Sequence, residues 1–274
     1  MNFEQIKKMA SNCIDELAAS LSAGRSETLT NYLATMGRFH RYSLHNVMLI
    51  VLQRPTASHV AGFHTWRKLG RFVKKGEKGI VILAPVVRRT SLKQDNLSEE
   101  EPEVVCGFRA AHVFDVTQTD GRELPAIGQV QGAPREHLTR LVGLVRDSGI
   151  TLDYSEEIAP ALGTSSGGKI TLLPGMEPAR EFSTLVHELA HEFLHRSERR
   201  KDTTRTMRET EAEAVAHVVA KGIGLETGSA SQDYIQLWHG DAAMLMQSLE
   251  LVHMTSARIL RSLLPADEQG ELHG

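Results

Sequence analysis

His187, Glu188 and His191 stand in the order His-Glu-x-x-His within EFSTLVHELAHEFLH, residues 181–195. On a helix, positions i and i+4 point the same way about 6 Å apart along the axis, so both imidazoles can reach one ion. Glu188 follows about 100° round the helix from His187, near enough to polarise water at a metal without ligating it. These are the ligands and the base of a zinc peptide hydrolase, with Zn2+ as the expected ion. Such a site needs a third protein ligand and an open coordination position. The segment that follows, RETEAEAVAHVVAK, offers Glu209, Glu211 and Glu213. Glu209 and Glu213 are i and i+4 and share a face with Ala212, Ala216 and Ala220, small residues that would allow close approach to the first helix. One of the two could ligate while the other holds a histidine from behind. Glu211 sits instead near Val215 and Val218 and competes with them, and spacing alone leaves the choice open. For an additional oxyanion donor, Tyr234, His217 and His239 are all candidates.

The motif has to be carried by a helix with one buried side. Phe182, Leu185, Val186, Leu189, Phe193 and Leu194 recur at helical spacing, and Pro178 suits a first turn. Upstream of it, Ile150–Tyr154 and Lys169–Leu173 read as short strands joined through GTSSGG, which lacks Walker spacing and is read as a hairpin turn. His137–Asp147 reads as a helix before them, and Arg208–Lys221 and Gln232–Leu264 as helices after, with Ser197–Thr206 a charged loop between. The first half opens with helices over Phe3–Leu21, Glu27–Gly37 and Ser43–Gln53, the last stopped by Pro55. Ile80–Ala84 and Val104–Thr117 then read as paired strands around a polar, acidic surface loop, Leu92–Glu103. Turn-formers cluster between Thr119 and Gly132, so the expected division is residues 1–130 and 131–274. The fold class is α+β, with a helical and β-hairpin first domain and a mostly helical second domain containing a small sheet.

A second stretch with chemical character runs through the first half. Between Arg54 and Lys93 lie ten basic residues, Arg54, Arg67, Lys68, Arg71, Lys74, Lys75, Lys78, Arg88, Arg89 and Lys93, against Glu77 as the one acid. That excess is a phosphate-binding footprint. Phe63, Trp66 and Phe72 are interleaved with the charges, the mixture with which single-stranded nucleic acid is held: cations follow the backbone and aromatic faces stack on bases. The competing reading makes the aromatics core and the lysines a solvated face, since tryptophan is usually well buried.

Composition excludes several classes. With 41% hydrophobic and 24% charged residues in a chain of 274, the composition is that of an ordinary globular protein. Cys13 and Cys106 are too few for a disulfide framework and lack zinc-ligand spacing. The first residues have no secretory-signal pattern, and no apolar run approaches the roughly eighteen residues of a membrane span. A cytoplasmic protein without a membrane partner is expected.

Both halves resemble ArdC-type antirestriction proteins, a conjugative-plasmid family with an N-terminal single-stranded DNA-binding domain and a C-terminal zincin-like metallopeptidase domain related to ImmA/IrrE peptidases. The resemblance is carried by YSLHNVMLIVLQRP and VAGFHTWRKLGRFVKKGEKGIVILAP in the first half and by HELAHEFLH, ETEAEAVAHVV and DYIQLWHGD in the second. It implies Glu188 as the catalytic base, His187, His191 and Glu209 as ligands, and Glu213 behind a ligand, with Glu211 the alternative. It also implies single-stranded DNA contacts from Arg41, Tyr42, Asn46, Arg54, Phe63, Trp66, Lys68, Arg71, Lys74, Lys75 and Lys78. The expected function is protection of incoming plasmid DNA from restriction during conjugation, with a zinc metallopeptidase acting on a protein substrate such as a restriction component or a repressor. The alternatives are a regulatory peptidase that cleaves a repressor, and a DNA-binding protector whose zinc site is not catalytic.

Overall fold

The computed structural model describes residues 3–23, 26–89, 103–123, 134–196, 198–225 and 242–264. Three helices open the chain, α1 (Phe3–Ser22), α2 (Ser26–Arg38) and α3 (Leu44–Gln53). Helix α1 buries Ile6, Ala10, Cys13, Ile14, Leu17 and Leu21, a stripe at three- and four-residue spacing. Ser43 caps α3 by accepting from the backbone N–H of Asn46, and Pro55 follows its last turn.

The next segment is more structured than its sequence suggests. Strand β1 (Val60–Gly62), helix α4 (Phe63–Lys68) and strand β2 (Arg71–Val73) precede a long hairpin of β3 (Ile80–Arg89) and β4 (Glu103–Asp115). The antiparallel order is β1-β4-β3, while β2 pairs with β5 (Thr119–Gly121), inside the stretch expected to be linker. Strand β3 continues through Pro85 beyond the expected end at Ala84 because it is an edge strand, where a missing N–H breaks no ladder bond on the open side. Its outer edge is closed near Val81 and Leu83 by α3. Asn46 donates to Leu83 O and accepts from Leu83 N, both at 2.9 Å, and Gln53 does the same with Val81 at 2.9 Å. On the β1 side of the sheet, buried Asp115 accepts from the backbone N–H groups of Ser58 (2.8 Å), His59 (3.2 Å) and Thr117 (3.1 Å).

The second half contains α5 (Pro134–Asp147), a sheet in the order β6 (Thr151–Tyr154), β8 (Lys169–Leu172), β7 (Gly163–Ser165), and helices α6 (Pro178–Leu194), α7 (Glu198–Asp202), α8 (Arg205–Gly222) and α9 (Ala242–Leu263). Strands β6 and β8 are parallel; β7 and β8 form the hairpin. Two corrections arise. GTSSGG contributes its first three residues to a strand, and the charged segment after α6 is partly the short helix α7. The surface loop before Glu103, the expected boundary near Val130, and residues 226–241 lie outside the described residues.

A single hydrophobic cluster runs from α1, α2 and α3 through α6, α8 and α9. Helices α2 and α8 cross with their backbones nearly touching: a Cβ on Gly37 would lie 2.6 Å from Val218 O and 2.9 Å from Gly222 N. Among the described residues no helix is long and apolar enough to cross a membrane. An alanine in an exposed helix stabilises by about 1 kcal/mol relative to glycine. Gly37→Ala is expected to do the opposite here, destabilising by about 1–3 kcal/mol as the backbones are forced apart. A thermal melt reads the sign, and a raised midpoint would refute the close crossing.

Candidate metal centre and nucleic-acid interface

Helix α6 starts with Pro178 at its first position and buries Phe182, Leu185, Val186, Leu189 and Ala190 against the core. That burial, at about 1.5–3 kcal/mol for each larger side chain, fixes the helix's rotation. His187 and His191 are thereby turned towards α8, which packs along α6. Thr204 caps α8 by accepting from Met207 N at 3.2 Å, and Glu209 follows in the second turn.

His187 Nε2 and His191 Nε2 are 3.1 Å apart, and Glu209 Oε2 lies 3.4 and 3.5 Å from them. Tetrahedral bonds of about 2.0–2.1 Å place neighbouring donors about 3.3 Å apart, so this triangle is the size of one face of a zinc tetrahedron. His187, His191 and Glu209 are the set able to hold a metal among the described residues. The two unassigned carboxylates separate. Glu213 Oε2 is 3.4 Å from His187 Nδ1, on the side of that ring away from the triangle. Glu211 is fully buried and turned away from the triangle. Its Oε2 accepts from His195 Nε2 (2.8 Å) and Arg199 Nη1 (2.8 Å), its Oε1 from Arg199 Nη2 (2.7 Å) and Ser248 Oγ (2.8 Å). Burial works against its charge, but these donors win and keep the carboxyl below its usual range.

Glu188 is almost buried, and burial raises its pKa despite the opposing charge of His187 and a hydrogen bond with Ser165. Strand β7 lies directly against it: a Cβ on Gly163 would come within 2.8 Å of both Glu188 Cγ and Thr184 Cγ2. Glu192, one turn on, accepts from Gly167 N (2.9 Å) and Gly168 N (2.7 Å), pinning the β7–β8 turn to α6. His195, Arg199, Ser248, Gly163 and Ser165 carried no role in the sequence reading. His195 had a visible signal, since residues 187, 191 and 195 form one i, i+4, i+8 stripe; the others are brought in only by tertiary packing. Of the oxyanion candidates, His217 is buried on α8 one turn past Glu213, and Tyr234 and His239 lie outside the described residues.

The residues expected to contact DNA divide by exposure. Phe63 is 45% and Phe72 59% exposed, and Lys68, Lys74, Lys75 and Lys78 are also exposed. Lys74 donates to Thr117 O at 3.1 Å and lies 3.5 Å from Asp120. Trp66 corrects the expectation: it is fully buried with Ala61, and its Nε1 donates to Phe114 O at 2.8 Å, so its faces pack on protein and not on a base. Asn46 is occupied in closing the edge of β3. Arg71 binds Thr119 through Nε and Nη2 at 2.7 and 2.9 Å, fastening β2 to β5. Arg54 reaches Thr117 Oγ1 at 2.8 Å, Tyr42 donates to Val60 O at 3.2 Å, and Arg41 is half-buried. These groups shape the platform, while the lysines and two phenylalanines form its outer surface. The sequence reading missed Val87, Val104, Val105 and Phe108, all exposed on the distal half of the hairpin.

Residues 4–114 match the family model described as the N-terminal domain of anti-restriction factor ArdC. Crystal structures of the antirestriction protein ArdC from plasmid R388, one metal-free and one bound to Mn(II), align with TM-scores of 0.53 and 0.54 at 18% identity, over 93% of this chain and 96% of theirs. An uncharacterized protein of Bacillus anthracis is 24% identical over 310 aligned positions; the chain spans about half, 52%, of the length of that curated relative.

In the absence of metal, burial disfavours a charged His187, but Glu209 and Glu213 outweigh it and raise its pKa to about 9. Glu209 is held at about 2 by the hydrogen bond from His187. A metal ion must therefore displace the His187 proton at neutral pH. Apparent metal affinity is expected to rise roughly tenfold per pH unit between pH 6 and 8. Titration against a competing chelator across that range checks it, and a flat profile would contradict it.

Proposed function

From an ArdC-family N-terminal domain and an ArdC fold throughout, we propose that this chain is an antirestriction-type protein whose first part, to about residue 130, binds single-stranded DNA and whose second part is a metallopeptidase. The observation that carries the second half of this reading is the His187–His191–Glu209 triangle with Glu188 beside it. A divalent ion held there would supply Lewis acidity, lowering the pKa of water and polarising a peptide carbonyl. Zinc is the ion that the donor set and triangle suit, and Mn(II) is a second candidate because R388 ArdC was crystallised with it. Glu188, with its pKa raised by burial, accepts the proton of the attacking water and returns it to the leaving amine. Ser165 and the closeness of Gly163 hold that carboxylate in one place. Glu213 holds His187 from its Nδ1 side.

The DNA half of the reading rests on the exposed cations Lys68, Lys74, Lys75 and Lys78 together with exposed Phe63 and Phe72. Bound single strands would bring the protein substrate, a restriction component or a repressor, to the metal centre in the cytoplasm of a cell receiving a plasmid. Three measurements test this. Affinity for single-stranded DNA should fall linearly on a log–log plot against salt concentration as condensed counterions are released, and salt-independent binding would rule out the basic surface as the binding site. Glu188→Gln should lower hydrolysis of a peptide library by roughly 10²–10⁴-fold while metal content and DNA affinity stay at parental levels. Undiminished cleavage by that variant would end the peptidase reading. Undiminished protection of incoming DNA without cleavage would leave a DNA-binding protector.

A further inference from the structure

The buried groups behind the metal triangle have a directionality that the ligand set alone does not require. We propose that Glu211 and His195 are positioning residues that fix His191 as its Nδ1–H tautomer and so present its Nε2 lone pair to the metal. This rests on the metal centre proposed above.

Every hydrogen-bonding neighbour of Glu211 named above is a donor: the two terminal nitrogens of Arg199, the hydroxyl of Ser248 and, at 2.8 Å, Nε2 of His195. A carboxylate in that setting accepts, so His195 carries its proton on Nε2. Arg199 already neutralises Glu211 through two parallel bonds, so no second cation is required of the imidazole. Neutral His195 then has a lone pair on Nδ1, which lies 3.0 Å from Nδ1 of His191. Two facing ring nitrogens at that separation need one hydrogen between them, and it belongs to His191. With Nδ1 of His191 protonated, Nε2 is the lone pair, and it is this atom that lies 3.1 Å from His187 Nε2 and 3.5 Å from Glu209 Oε2.

Both side chains of the chain, His195 and Glu211, have no solvent exposure, so no water competes for these bonds. The other histidine ligand is held differently: His187 faces Glu213 directly, and that carboxylate is 57% exposed. The two ligands are thus supported by one buried chain of two groups and by one solvated group. Removing the buried support is expected to weaken metal binding more than removing the solvated one.

The test measures zinc and Mn(II) affinity of the full chain by competition with a chromophoric chelator. His195→Leu should bind roughly 10–100-fold more weakly than the parent, the usual loss when a ligand's outer partner is removed. His195→Asn should recover part of the loss, because its amide oxygen can accept near the position of Nδ1, and Glu213→Gln should lose less than His195→Leu. In the zinc-loaded parent, long-range 1H–15N correlations should place the proton of His195 on Nε2 and that of His191 on Nδ1. Parental affinity in a folded His195→Leu variant, or a proton on Nδ1 of His195, would overturn the proposal, and the tautomer measurement decides even if the variant fails to fold. A parent that takes up neither ion would overturn the metal centre itself and this proposal with it.

Discussion

An ionised carboxyl group without solvent is tolerable only when its oxygens are fully engaged, and Glu211 sets that condition for the second half of the molecule. Losing one partner of such a group typically costs about 3–5 kcal/mol, because the charge stays buried and uncompensated. Its partners arrive from three different places: His195 at the end of α6, Arg199 on α7 and Ser248 on α9. Apolar contacts between these helices would permit several registers, whereas a carboxylate with four directional donors permits one. The metal triangle lies one side chain away from that knot. The placement of His191 is therefore inherited from a junction that lies outside the triangle.

The three glutamates of RETEAE have separate tasks for a reason of helical geometry. Residues two apart point about 200° from one another, so Glu209 and Glu213 share a side while Glu211 faces the reverse. Sequence made that division visible but not which side meets α6, since Ala212 and Ala216 promise a close approach as readily as Val215 and Val218 promise a buried one. The His-Glu-x-x-His helix itself was legible, because a seventeen-residue amphipathic element with a proline at its start carries its own rotation. Glu188's surroundings were not, because β7 is too short and polar to announce that it will lie against that carboxylate.

In the first half the sequence carried composition better than placement. Ten cations with interleaved aromatics mark a surface of some kind, but they do not say which rings are outside. Trp66 went inward because its indole N–H found Phe114 O, leaving no unpaired polar group in the core. Phe63 and Phe72, on either side of it in sequence, remained outside. Arginines divided from lysines in a similar way: Arg54 and Arg71, with planar forks suited to several acceptors, tie loops and strands together, and Lys68, Lys75 and Lys78 stay at the surface. A five-residue helix such as α7 contains too few turns for periodicity to reveal it, which is why Arg199 went unnoticed.

The crossing of α2 and α8 has a mechanical consequence. Where two backbones touch at Gly37 and Gly222, no flexible side chain lies between them to absorb a shift. Helix α8 also carries Glu209, Glu211 and Glu213, and as a hydrogen-bonded rod it moves largely as one piece. The contact therefore works as a fulcrum: a tilt imposed on α2 from the N-terminal side passes into the rod that bears the carboxylates about 14–20 Å away along its axis.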